Sequence, residues 1–367
     1  MKIAITGANG FIAKNLILRL HNYKKNKIYE ITRSTKKKTI DEIINHCDLI
    51  FHLAAANRTI NSKSFKKDNI DLTNYICQHI IKNNLKKKII FSSSTQISKN
   101  SFYGFSKKKC EKILIDLTKI NPSKVVILRL PNIFGKFCKP NYNSVVSTFC
   151  YNISRDKKIK ISNPKNKINL LYIDDLVELF IDILKKNIKK NQITTKFNKS
   201  INISLLKLSK IIYQFEEERK SIFISNLDCQ IKKNLYATYV SLLPKNKITY
   251  PLRIKKDSRG SFTEFLKTQF NGQISIFTAK KNQIRGCHYH NTKVEKFLVI
   301  KGKAKFVMKN LSTMKETDFI LSDKIFKVIE SIPGTLHYIK NIGNSDLIVL
   351  LWSNELFNNK KPDTYSL

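Results

Sequence analysis

Two sets of residues in this chain have types and spacings that suit chemistry. Tyr103 and Lys107 lie four positions apart, shortly after the hydroxyl-rich run Ser92-Ser93-Ser94-Thr95. On a helix such a pair shares one face. The ammonium can lower the pKa of the phenol and bind a cofactor ribose, while a nearby hydroxyl orients a carbonyl. The second set is His288-Tyr289-His290, then Glu295, and later His337 after Pro333-Gly334. On a strand, HxH puts two imidazoles on one face. With Glu295 and His337 converging inside a barrel, they make a site for Zn²⁺ or another divalent metal. Cys287 adjoins His288 and by alternation should point away from that site.

The elements that must position the first set are a series of βα units. Residues 2–6 read as a buried strand running into Gly7-Ala8-Asn9-Gly10-Phe11-Ile12-Ala13 and an amphipathic stretch to about His21. Strand, glycine turn and helix form the context of a dinucleotide fingerprint. Gly7 permits the tight turn, Gly10 lets the backbone approach a pyrophosphate, and Ala13 is small enough for close packing. A second strand over 27–32 ends at Arg33 and Ser34 with no carboxylate. A guanidinium there favours NADPH by gripping a 2′-phosphate; the plainer reading is an exposed arginine in a basic chain. Strands over 48–53, 88–92 and 125–130, with helices over 69–83 and from Tyr103, complete an α/β pattern. It predicts a Rossmann-like, doubly wound parallel sheet with its site at the strand C-terminal ends. His52, inside a buried strand, reads as structural.

Near residues 244–252 the helical pattern stops. Short alternating segments follow at 261–265, 273–278, 296–301, 304–309, 318–322, 325–330 and 347–352, which predicts an all-β barrel or jelly roll. The expected domains are therefore 1–245 and 246–367.

Composition narrows the class. The chain has 367 residues, 42% of them hydrophobic, enough for two cores, so it is not a disordered, collagen-like or disulfide-stapled chain. Its 68 Lys+Arg against 27 Asp+Glu give +41, yet only nine are Arg and the lysine runs are scattered. That pattern fits AT-rich coding better than a nucleic-acid groove, which would concentrate Arg and aromatics on one patch. Seven cysteines without a CxxC pair suggest a reducing compartment. No apolar run approaches 18 residues, so no membrane insertion is expected and a cytoplasmic protein is the default.

Together, TGxxGxxA, the serine-rich strand end and YxxxK resemble the extended short-chain dehydrogenase/reductase family, which acts largely on nucleotide sugars. The resemblance implies catalysis by Ser94, Tyr103 and Lys107, with Thr95 as the reserve hydroxyl. It implies cofactor contacts at Thr6, Gly7, Asn9, Gly10, Phe11, Ile12, Arg33, Ala54 and Lys107. Asn132, within RLPNIFG (129–135), falls where that family orients the nucleotide sugar. Tyr172-Ile173-Asp174-Asp175 matches a late strand–helix signature, for which a helix N-cap is the expected role. The spacing from Ser94 to Tyr103 is shorter than in the familiar sugar epimerases.

HxHx4Ex6G, ending at Gly302, and PGxxHx3N, ending at Asn341, match the two cupin motifs, with His288, His290, Glu295 and His337 as the implied ligands. DSRGSFTE (257–264) looks like the entry strand of deoxysugar-nucleotide epimerases, where the arginine meets a diphosphate. That places Arg259 at the substrate, although DxRG also makes an ordinary turn. In this order the two domains resemble bifunctional capsular-polysaccharide enzymes of the CapF/WbjC type along essentially the whole chain. LPNIFGKFCKPNYNSVVSTF (130–149), KNLYATYVSLLP (233–244), RGCHYHNTKVEKFLVIKGKAKFVM (285–308) and LLWSNELF…KPDTY (350–365) carry the likeness.

The resemblance implies C3 epimerisation and NADPH-dependent C4 reduction of UDP-2-acetamido-2,6-dideoxy-L-arabino-hexos-4-ulose. The product would be UDP-N-acetyl-6-deoxy-L-talosamine, on the route to N-acetyl-L-fucosamine. Zinc in the cupin and a homo-oligomer, dimer or tetramer, belong to the same implication. Cys287 stands where the family pattern carries Asn. The C3 base stays open among Tyr289, Lys296 and Lys301. Three other readings stand: a reductase of a related 4-keto sugar with a structural cupin, an epimerase that recycles its cofactor, and a basic non-enzymatic binder.

Overall fold

Strands that are apolar on both sides need helices on both faces, and the first half of the chain meets that need. The computed structural model describes all residues except 24, 58–64, 162, 187, 189, 361 and 367. Lys24 and Lys189 of the basic runs and Lys361 of the last motif thus lie outside the described residues. The chain divides into two compact units, one of residues 1–213 and 229–244, the other of 214–228 and 245–367.

In the first unit, β1 (Lys2–Thr6), β2 (Lys27–Ile31), β3 (Leu49–His52), β4 (Lys88–Ser94), β5 (Lys124–Leu130) and β8 (Gln192–Thr194) form one parallel sheet. Its order is β2-β1-β3-β4-β5-β8. The chain leaves β1 toward β2 and returns to β3 on the other side, which opens a crevice at the C-terminal ends of β1 and β3. Alternate residues feed the two faces. Ile5, Phe51 and Val126 pack with α1 (Phe11–Leu20) and α6 (Ile173–Lys185). Ala4, Ile50 and Ile89 pack with α2 (Lys37–His46), α3 (Leu72–Lys82) and α4 (Phe102–Ile120). A small sheet of β6 (Asn132–Phe134), β7 (Lys167–Tyr172) and β9 (Ile201–Ser204) stands beside it. Among the described helices, α5 (Val145–Ile153) and α8 (Gln230–Val240) also belong to this unit, and α7 (Leu205–Lys220) begins in it and ends among the residues of the second. None of the described helices is long and apolar enough to cross a membrane.

Three local expectations change. β4 runs two residues past Ser92, because buried polar side chains in a central strand are tolerated once they are partnered. Ser93 donates to the Glu111 carboxylate, which Arg129 on the adjacent β5 grips through Nε and Nη2. The helix expected from Asn69 begins as a π-helical turn over Lys66–Asp71. There the Asn69 side chain closes on both the N–H (2.8 Å) and the carbonyl (3.1 Å) of Ala56. Asp174 and Asp175 are not N-caps. Tyr172 occupies the cap position of α6 without a side-chain cap bond. The two carboxylates sit in the first turn, suited to the helix dipole, and pair with Lys136 and Lys199.

The second unit is antiparallel. β10 (Ile254–Asp257), β11 (Gly260–Lys267), β12 (Gln273–Ala279), β19 (Leu347–Ser353), β14 (Glu295–Lys301) and β17 (Val328–Glu330) make one sheet, in that order. β13 (Ile284–His288), β18 (Thr335–Asn341), β15 (Lys303–Asn310) and β16 (Glu316–Ser322) make another. Phe277, Phe297 and Val349 from one sheet and Phe306 and Ile339 from the other share a core. Residues 222–224 join the edge of β11 through backbone bonds between Ile224 N–H and the Lys267 carbonyl and between Lys267 N–H and the Ile222 carbonyl. This accounts for the second unit's recruitment of 214–228.

Breaking a buried ion pair on one side costs roughly 3–5 kcal/mol. Arg129 keeps 30% of its side-chain surface in water, which discounts that figure. Glu111→Ala should therefore lower stability by about 2 kcal/mol, read as a lower urea midpoint at unchanged m. A midpoint equal to wild type would remove the pair from the account of β4.

Candidate functional site

The crevice at β1 and β3 is a cavity of about 930 Å³ whose walls include Gly7, Asn9, Gly10, Arg33 and Ala54. Gly7 has φ +69°, and a Cβ there would lie 2.7 Å from the Ala54 Cα. No side chain caps α1 at Gly10, which leaves the first-turn N–H groups available to an anion. A glycine cradle at a helix N-terminus fits a dinucleotide pyrophosphate. Arg33 lies beyond β2 with Thr32, Thr35 and Lys37 also on the wall, and its guanidinium holds Asp68 at 2.8 Å.

Thr6, Phe11 and Ile12, expected as cofactor contacts, do not line this cavity. Phe11 and Ile12 pack against the core, and Thr6 is wholly buried. The Thr6 hydroxyl instead accepts the N–H groups of Leu53 and Ala54, both at 3.1 Å. It also meets His52 Nδ1 at 2.8 Å, while His52 Nε2 meets Thr73 at 2.9 Å. Burial and the nearby Lys107 cation push His52 down to about 3, so the ring is neutral. Thr73 donates to the Asn69 carbonyl, and therefore accepts from His52 Nε2–H. His52 Nδ1 is then the acceptor of the Thr6 proton. His52 is a structural link, and Thr6 shapes the cavity floor through Ala54.

Ser94, Tyr103 and Lys107 converge at the end of β4. Ser101 caps α4 by accepting the Gly104 N–H at 3.0 Å. A Cβ at Gly104 would sit 2.3 Å from the Gln96 carbonyl oxygen, so glycine lets the helix close onto the strand end. Burial pushes the Tyr103 phenol up to about 12, and the neighbouring Ser94 hydroxyl opposes that rise. Lys107 is 1% exposed, donates to the Ser92 carbonyl at 2.6 Å and lies 4.5 Å from the Phe91 ring centre. Burial pushes its ammonium down to about 8. Thr95 is exposed on the following 3₁₀ turn. Asn132 is exposed on β6 and donates to the Asn169 carbonyl.

In the second unit His288, His290, Glu295 and His337 bring four ligand atoms within 4.8 Å of one another. Glu295 Oε2 lies 3.2 Å from His290 Nε2 and 3.3 Å from His337 Nε2. The other nitrogens face backbone: His290 Nδ1 the Asp363 carbonyl, His337 Nδ1 the Thr335 carbonyl. Donation through Nδ1 frees Nε2 as a lone-pair donor toward the cluster. When no cation takes that lone pair, a proton on each Nε2 lets the rings donate to Glu295; burial opposes ionisation of this carboxyl, but those two bonds outweigh it and hold it down at about 2. Three imidazoles and one carboxylate around a shared point suit a divalent cation. HxH does not lie flat on one strand, because a bulge between Gly286 and His288 ends β13 at His288, in register with His337. Cys287 takes φ +68° in that bulge and is exposed. A left-handed residue is easier for Asn than for Cys.

Arg259 folds onto Asp257, with Nη2 at 2.7 Å, and Asp257 also holds Arg285. This is the DxRG turn, tied to the start of β13. Lys296 and Lys301 are exposed. Alternation turns Lys296 to the face opposite Glu295, and it pairs with Glu330. Tyr289 pairs its backbone with Tyr365 and sets its ring 5.4 Å from the Tyr365 ring. Sequence reasoning missed Glu111 and Asp363, whose partners lie 18 and about 70 positions away, and the tie of Asp257 to Arg285.

A lysine held below its unfolded pKa binds its proton less tightly when folded, so stability rises with pH from about 8 toward 10.5. Lys107→Met should gain about 1–3 kcal/mol near pH 7, and the gain should shrink as pH rises through that window. Urea melts across pH will show this; a constant difference would mean a solvated ammonium.

Comparison with known proteins agrees with both units. Residues 3–203 match the model of the NAD dependent epimerase/dehydratase family, and 255–365 match the polysaccharide biosynthesis C-terminal domain. A UDP-2-acetamido-2,6-beta-L-arabino-hexul-4-ose reductase of Pseudomonas aeruginosa is 38% identical over 366 residues, covering 100% of this chain and 98% of that protein. The crystal structure of the capsular polysaccharide assembling protein CapF from Staphylococcus aureus is similar at TM-score 0.91 and 35% identity, with 100% of both chains covered. UDP-glucose 4-epimerase of Thermotoga maritima, at 16% identity and TM-score 0.55 over 65% of this chain and 97% of that one, shares the fold. Given a family match over most of the first unit and likeness to relatives along its full length, the chain belongs to the NAD dependent epimerase/dehydratase family.

Proposed function

We propose that the first unit is an NADPH-dependent nucleotide-sugar 4-ketoreductase and the second a cupin that epimerises the neighbouring C3. The substrate is UDP-2-acetamido-2,6-dideoxy-L-arabino-hexos-4-ulose and the product UDP-N-acetyl-6-deoxy-L-talosamine, for capsule or O-antigen synthesis. The observation that carries this reading is the pairing, in one chain, of the Ser94–Tyr103–Lys107 cluster with the His₃Glu cluster. The full-length likeness to the Pseudomonas reductase supports the substrate class.

The C3 proton is acidic only while C4 is a ketone, so epimerisation comes first. His288, His290, Glu295 and His337 would hold a zinc ion, which supplies the positive charge that stabilises a developing enolate oxygen. Tyr289, between two of those histidines in the sequence, is the proposed group that exchanges the C3 proton. In the first unit a bound dihydronicotinamide supplies the hydride for C4. Ser94 holds the ketone oxygen, and Tyr103 Oη–H gives its proton to that oxygen as the C–O bond becomes single. Lys107 places a positive charge beside the phenolate that results and steadies it. Arg33, at the end of β2 where an NAD-selective site would carry a carboxylate, supports a 2′-phosphate partner.

The deciding experiment follows NADPH oxidation with the UDP-4-keto-6-deoxy sugar in D₂O, with NMR of the product. Oxidation with deuterium at C3 is expected; oxidation without it would leave a reductase and a structural second unit. Tyr103→Phe should abolish oxidation and keep C3 exchange, while His290→Ala should lose exchange. Loss of both in folded Tyr103→Phe would defeat the two-site assignment. Arg33→Ala should raise the KM for NADPH about tenfold or more and leave that for NADH near wild type; equal effects on both would remove Arg33 from cofactor choice.

A further inference from the structure

One conspicuous polar cluster outside the reacting groups lies where the end of the chain meets the loop between His290 and Glu295. The Asp363 carboxylate accepts the N–H groups of Asn291 and Thr292 at 3.0 Å and of Lys293 at 2.8 Å, and the Thr292 hydroxyl at 3.0 Å. Its own backbone carbonyl faces His290 Nδ1. Lys293, 4% exposed, donates its ammonium to the Pro362 carbonyl at 2.7 Å. Tyr289 and Tyr365 exchange two backbone hydrogen bonds, at 2.9 and 3.0 Å. The loop that carries one ligand and leads to the next therefore takes its hydrogen-bond partners from residues 362–365. Burial opposes ionisation of Asp363, yet the N–H groups converging on it outweigh that and hold its carboxyl well below the usual range. The residue also adopts φ +38°, a left-handed conformation that the surrounding bonds must stabilise.

We propose that Asp363 is a positioning residue for the metal centre, and that residues 362–365 act as a strap that holds His290 in its ligating orientation. The reasoning rests on the metal reading of the His₃Glu cluster. A ligating imidazole binds well when its other nitrogen donates to a fixed acceptor, which sets both tautomer and ring direction. Here that acceptor is the Asp363 carbonyl, and its place is set by the Asp363 side chain through the loop N–H groups. Without the carboxylate, three N–H groups lose their partner and the carbonyl loses its fixed position. His290 would then pay an ordering cost at binding that the strap otherwise meets in advance. Asn at 363 keeps one acceptor oxygen but turns an NH₂ toward N–H donors, so it restores part of the arrangement.

The test is zinc affinity of the full-length protein by competition with a chromogenic chelator, with the Co²⁺ absorption spectrum as a readout of the ligand set. Asp363→Ala should bind zinc roughly 10–100-fold more weakly than wild type, with Asp363→Asn between them. The metal-free Asp363→Ala protein should keep the wild-type near-UV circular dichroism spectrum and melt cooperatively at a lower temperature, since it loses the four hydrogen bonds that the carboxylate accepts. Equal zinc affinity in wild type and Asp363→Ala would overturn the strap while leaving the metal centre standing. Failure of the wild type to bind zinc or cobalt would overturn the metal reading and the strap with it. If Asp363→Ala does not fold, the comparison passes to Asp363→Asn, where unchanged affinity and an unchanged cobalt spectrum overturn the proposal.

Discussion

The Lys107 ammonium is almost wholly withdrawn from water, and a buried cation must be surrounded by groups that tolerate it. The Ser92 carbonyl and the Phe91 ring face it directly. The same charge helps keep His52 neutral, and a neutral imidazole can link one donor hydroxyl to one acceptor hydroxyl. Thr6 and Thr73 take those places, which ties β1, β3 and α3 together under the cavity. Through the N–H groups of Leu53 and Ala54, Thr6 then sets the wall that faces Gly7. The cavity wall and the seat of the Lys107 ammonium are thus parts of one polar arrangement.

The second unit meets a similar demand with the opposite sign. Glu295 is a buried carboxylate faced by Nε2 of two imidazoles, whose Nδ1 atoms face backbone carbonyls. Those carbonyls come from β18 and from the chain's last residues. Antiparallel strands bring His288 and His337 into register, and the bulge at Cys287 redirects the chain so that His290 can turn inward. A flat strand would have left the two histidines in a less convergent arrangement.

The α/β alternation was legible because apolar runs of five to seven residues separated by amphipathic helices admit few other solutions. The glycine turn was legible for a local reason, since Gly7 and Gly10 act within a few residues of one another. Element ends were less so. Ser93 and Ser94 look like loop residues until Glu111 and Arg129 are seen to partner the strand. Asp174 and Asp175 look like caps, but they stand two and three residues past the cap position at Tyr172, in the first turn of the helix. Lys296 looked like a base candidate until strand alternation turned it outward.

By itself the sequence determined the residue types at both clusters, the helical face shared by Tyr103 and Lys107, and the change from α/β to β near residue 245. These depend on periods of two and 3.6 residues and on short turns, which are local properties. Only the tertiary structure decided which of those residues meet a ligand-sized space and which are spent on holding others. Thr6 and Asp363 show the difference. Their roles lie in hydrogen bonds to His52 and to residues 291–293, partners dozens of positions away whose approach is set by sheet order and strand register rather than by any neighbouring residue.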